Sequence, residues 1–174
     1  MTLPSGGPRR LPPALTAFLA AGAISFAGSF SWFVGGGDET WFLAVMSRLL
    51  SGERLYRDVF FGSLPLSAQL AEPVLRIFGP ELLVLRALIA LCLAGTAGFL
   101  VKAAQDLGAA GRGLLLLVLA LLVFADGGPA HLYSPLSALF LSATLAAVVA
   151  YRRAPRPALL AAAGLAAGLT VAAK

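Results

Sequence analysis

The chain has 174 residues, 59% hydrophobic and only 12% charged, and its mean hydropathy is +0.89. Soluble domains carry about 25% charged residues, so about half the polar surface that a water-facing globule needs is missing. The formal net charge of +5 is spread over short basic clusters between apolar runs. That spacing fits topology signals rather than a nucleic-acid surface, and the lone Cys92 rules out a disulfide framework.

Residues 1–13 form a polar leader with Arg9 and Arg10, read as cytoplasmic. The run 14–34 carries no charge and is long enough to cross a hydrocarbon core of about 30 Å as a helix. It is too long for the apolar region of a signal peptide and lacks an Ala-x-Ala site followed by a secreted domain. Gly35, Gly36 and Gly37 then open a loop, 35–81, in which ten of the chain's 21 formally charged residues lie. Two amphipathic patterns stand inside it. Trp41, Phe42, Val45, Met46, Leu49 and Leu50 share one helix face, and Leu66, Leu70, Val74 and Ile77 share another, ending at Gly79-Pro80. Both resemble helices lying in the membrane interface, the alternative being ordinary core packing.

Further spans are expected at about 82–101, 108–125, 134–151 and 158–173. A polar turn with Asp106 and Arg112 separates the second span from the third. The loop beginning Asp126-Gly-Gly-Pro follows the third, and Arg152–Pro157 the fourth. The expected fold is an all-α, polytopic bundle of about five spans, with interfacial helices in the first outer loop. If the spans alternate, Arg9, Arg10, Lys102, Arg112, Arg152, Arg153 and Arg156 share one side, which the positive-inside rule makes cytoplasmic. Seven of the eight acidic residues, all but Asp106, then share the other. The expected location is the plasma (inner) membrane, N-terminus inside.

That outer side collects the polar residues able to do chemistry: Asp38 and Glu39 after the first span, Asp126 and His131 after the third, and Lys174 after the fifth. A carboxylate at a membrane mouth can deprotonate an acceptor or hold a divalent cation, magnesium or manganese. A Lys or Arg neutralises a departing lipid phosphate. Each residue also has a plainer reading. Asp38 after three glycines is placed to cap a helix, and Glu39 in a first turn is favoured by the helix dipole. Asp126 sits in a Gly-Gly-Pro turn, where Asp is common for local hydrogen bonding. His131 has no ligand spacing around it. Arg86, one turn inside the second span, can snorkel to the interface, yet an intramembrane cation is by default a functional candidate.

The order of these features resembles the first outer loop of C-type (GT-C) glycosyltransferases, the polyprenyl-phosphate-sugar-dependent enzymes related to protein mannosyltransferases (family 39) and to lipopolysaccharide-modifying transferases. The resemblance runs through Asp38-Glu39-Thr-Trp-Phe-Leu, Gly52-x-x-Leu-Tyr-Arg-Asp58, Pro65-Leu, Phe78-Gly79 and Leu85-Arg86 to Gly164-Leu-x-x-Gly-Leu-x-x-x-x-Lys174. It covers 38–174, and order and spacing carry it rather than any single motif. It implies that Asp38 is the catalytic base toward the acceptor hydroxyl, with Glu39 its neighbour in the pair. Lys174 would contact the donor phosphate, while Arg57 and Asp58 frame the donor cavity. Asp126 stands where relatives place a second acid, in an unusual Gly-Gly-Pro context. Transfer would be a direct displacement from polyprenyl phosphate to a glycan, lipid or protein acceptor, inverting the sugar carbon. Relatives have more spans and often a soluble C-terminal domain, so the chain is expected to be an N-terminal part, inactive alone. The rival readings are a small transporter or flippase, and an inert membrane stub. Transporters place ionisable groups near mid-membrane and often show repeated halves, neither of which is visible here.

Overall fold

A computed structural model describes residues 11–31, 37–125 and 132–174. Among them it forms six helices: α1 (Pro13–Ser31), α2 (Gly37–Leu50), α3 (Leu66–Phe78), α4 (Leu82–Ala125), α5 (Tyr133–Arg153) and α6 (Pro157–Ala172). The all-helical expectation holds among the described residues. Helix starts and stops follow local chemistry. Pro157 opens α6 at a position where its missing N–H costs nothing. Beyond the end of α2, Gly52 at φ 99° lets the Gly52 and Glu53 amides donate back to the Leu49 and Arg48 carbonyls. Gly79 at φ 91° closes α3, its amide donating to the Leu75 carbonyl.

Two described stretches are long and apolar enough to cross a bilayer: Leu82–Leu107, with a mean hydropathy of 2.1, and Ser134–Arg153, with 1.6. Half of the first and 28% of the second are buried by the protein. By length and composition both fit a bilayer crossing. The α1 stretch 13–28 and α6 are shorter apolar helices.

Side-chain contacts give the helix directions. Gly22 packs on Ala94, and Gly98 lies against Ala14 and Phe18, so α1 and α4 are antiparallel. Leu139 presses on Gly95 and Arg153 pairs with Asp106, so α5 runs parallel to the first part of α4. The Ser137 hydroxyl donates to the Thr170 carbonyl at 3.4 Å, and α6 returns antiparallel to α5.

These directions decide the course of α4. Helical backbone continues through 102–112, so the expected turn with Asp106 and Arg112 does not separate two helices. The Lys102–Asp106 pair is spaced i,i+4 and is satisfied within helix, which is why charge there does not stop it. Yet α4 is no straight rod. Leu132 belongs to the buried cluster of Leu85, Ile89 and Cys92, about 50 Å back from where a straight helix would leave Ala125. Seven residues reach at most about 25 Å. The path of the chain between Leu107 and Leu132 therefore returns toward the start of α4.

One end of the bundle thus holds the start of α1, Lys102, Asp106, Arg153 and the start of α6. The other holds α2, α3, the start of α4, Leu132 and the end of α6. The main core sits at this second end, where Phe42, Met46, Leu75, Leu85, Ile89 and Ala173 are buried together.

Candidate functional site

The second end is built on α2. The helix begins at Gly37, so Asp38 lies inside its first turn rather than before it as a cap, and the described side chains begin at Glu39. Glu39 is wholly buried. Arg86 of α4 donates to it twice, Nε to Oε1 at 2.7 Å and Nη2 to Oε2 at 2.9 Å. Both side chains are almost out of solvent, 7% and 1% exposed. A planar guanidinium meeting a carboxylate through two parallel bonds has the geometry that offsets desolvation best. The expectation that Arg86 snorkels to the interface is therefore corrected: its head turns inward to Glu39. Behind the pair, Phe42, Val45, Met46 and Leu49 bury one face of α2 in the protein, while Thr40, Trp41, Ala44, Ser47 and Arg48 leave the other exposed.

The α3 helix does the reverse. It turns the small face Ser67, Ala68, Ala71, with Leu75, onto the protein. Leu70 and Ile77 of the apolar stripe point away, 42% and 75% exposed, next to Phe78. These apolar side chains are left uncovered by the rest of the described protein.

Between the two helices the chain folds onto itself. The Asp58 carboxylate accepts from the Arg54 amide at 2.9 Å, closing the Leu-Tyr-Arg-Asp turn. Arg48 donates to the Asp58 carbonyl at 2.8 Å and pairs with Glu53, whose hydrogen bond holds the guanidinium above its ordinary range. Tyr56 takes a positive φ of 64° at the tip, and its hydroxyl donates to the Ser63 carbonyl. Phe61 is the anchor. Its ring stacks on Trp41 with centroids 5.4 Å apart and meets Phe42 edge-on at 6.1 Å. Asp58 thus shapes the loop, while Arg57 reaches into solvent with only a 3.3 Å contact to Asp58.

The exposed Lys174 follows Ala173, which is fully buried in the same cluster as Phe42 and Leu85. The residues brought to this end are therefore Glu39, Arg86, Arg57, Asp58 and Lys174, with the Asp38 backbone. Asp126 and His131 lie outside the described residues, and so does any structural reading of them. Among the described residues no three His, Cys, Asp or Glu side chains cluster as metal ligands.

The opposite end carries a second ionic group. Asp106 accepts from Lys102 at 3.1 Å and also pairs with Arg153, tying α4 to α5. The i,i+4 spacing of Lys102 and Asp106 was visible in the sequence. The Arg153 and Glu39–Arg86 partnerships each span 47 positions and left no local signal. No family model, curated protein or solved structure matches the chain.

Proposed function

We propose that the chain is the N-terminal part of a GT-C glycosyltransferase, moving a sugar from a polyprenyl-phosphate donor to an acceptor on the extracytoplasmic side with inversion. The observation that carries the reading is the gathering of the Asp38–Glu39 helix, Arg86, the 51–65 loop and Lys174 at one end of the bundle. In this reading five spans cross the plasma membrane: α1, the two limbs of α4, α5 and α6. The basic end with Lys102 and Arg153 is cytoplasmic, as the positive-inside rule assigns it.

Asp38 is the base. Its carboxylate takes the acceptor hydroxyl proton as the oxygen attacks the anomeric carbon, and the lipid phosphate leaves against Lys174. Glu39 and Arg86 are positioning residues. With both carboxylate oxygens bound by Arg86, Glu39 is poorly placed to take a proton and well placed to fix the first turn of α2, and with it the Asp38 backbone, against α4. General-base help of this kind contributes on the order of 10²–10⁴-fold, and fixed geometry supplies much of the rest.

The test is sugar transfer in membranes expressing the complete gene, supplied with a labelled polyprenyl-phosphate-sugar pool. Asp38→Asn at unchanged protein level is expected to lower transfer by about 10²-fold or more. Unaltered transfer would reduce Asp38 to a helix-terminal residue. Absence of transfer by the wild type with several donors would favour the transporter or the inert stub.

A further inference from the structure

We infer that the seam between α1 and α4 is a binding site for one acyl chain of an anionic phospholipid, with the phosphate at Lys102. Three apolar cavities lie end to end along this seam. The first, about 360 Å³, is lined by Ala14, Phe18, Gly95, Gly98, Phe99 and Lys102. The next, about 270 Å³, shares Phe18 with it and runs past Gly22 and Ala94 to Phe26 and Ala87. The last, about 360 Å³, shares Phe26, Ala87 and Leu91 and ends under Val74 and Phe78 of α3. The seam exists because small residues on both helices leave room between the Phe18 and Phe26 rings. From Lys102 to Ala87 it measures about 22 Å along the helix, more than the roughly 15 Å depth of one leaflet's hydrocarbon.

Charge selects the occupant. The one charged residue lining the three cavities is Lys102, at the end where Arg152, Arg153 and Arg156 also stand. Asp106 is the lone described acid there, and Lys102 and Arg153 already share it. The Lys102 ammonium has three donors, so it can hold Asp106 and still meet a phosphate oxygen. The far end under α3 is lined by apolar side chains alone and offers nothing to a headgroup. A chain anchored at Lys102 thus enters from the leaflet on the basic side, opposite the candidate catalytic end, and this site does not depend on the transferase reading.

The experiment is native mass spectrometry of the complete protein released from nanodiscs of equal phosphatidylglycerol and phosphatidylcholine. The wild type is expected to retain phosphatidylglycerol preferentially, and Lys102→Gln to reduce that preference about fivefold, the worth of one basic residue at an anionic surface. Gly98→Leu should abolish retention of either lipid. A Cβ there meets Ala14 O and Phe18 Cβ at an ordinary 3.5 Å, and an unchanged melting temperature of the variant in detergent shows that its loss of lipid is not a loss of fold. Equal retention of the two lipids by the wild type, or an unchanged preference in Lys102→Gln, would overturn the site.

Discussion

The two ends of the bundle each use an arginine–carboxylate pair to join α4 to another helix, and the pairs differ in surroundings rather than in chemistry. Glu39–Arg86 is buried on both sides and bidentate, whereas at the other end Asp106 is 9% exposed but its partners Arg153 and Lys102 are 60% and 54% exposed. A buried pair is held by what removing one partner would leave behind, an unpaired charge in an apolar setting. A carboxylate whose cations stand in solvent shares them with water and salt, so each contributes less. The bundle is therefore tightly specified at the end where α2 must be placed, and loosely and electrostatically held at the end that faces the basic side.

Breaking the buried pair should give the largest effect. Arg86→Ala is expected to destabilise the protein by about 3–5 kcal/mol, read as a fall in melting temperature in detergent. The double replacement Glu39→Met with Arg86→Met should recover most of that loss, because apolar groups of similar volume often replace a buried pair without net cost. A double variant as unstable as Arg86→Ala would place the effect in lost packing instead. Phe61→Ala comes next. Removing the ring from Trp41 and Phe42 should cost about 3 kcal/mol and expose 51–65 to proteolysis while the ion pair stays intact. Asp106→Asn should be the smallest change, within about 1 kcal/mol, with the difference vanishing at high salt. A loss as large as that of Arg86→Ala would erase the distinction between the two ends.

Helix content and most boundaries were legible because apolar runs and Gly/Pro punctuation act locally. The α3 stripe ending at Gly79-Pro80 is found where the periodicity put it. The posture of a helix was not legible. The patterns of α2 and α3 look alike in sequence, yet α2 turns Phe42, Val45, Met46 and Leu49 inward while α3 leaves Leu70 and Ile77 outside. A hydrophobic face is the same signal whether lipid or protein covers it. The stretch 102–112 was read as a turn, since charge and glycine ordinarily mark loops, whereas helical backbone runs through it. At the candidate site the residue types were readable and their partners were not: nothing in the sequence says that Glu39 spends both oxygens on Arg86.

The central claim is that Asp38 does chemistry while its neighbour Glu39 does positioning, and one assay separates them. Sugar transfer would be measured in membranes holding the complete protein as wild type, Asp38→Asn, and the Glu39→Met, Arg86→Met double variant. Transfer should be lost in Asp38→Asn and retained to a substantial part in the equally abundant double variant, with any deficit recovered as the acceptor is raised. Full activity in Asp38→Asn, or activity abolished in a stable double variant, would contradict the division of roles.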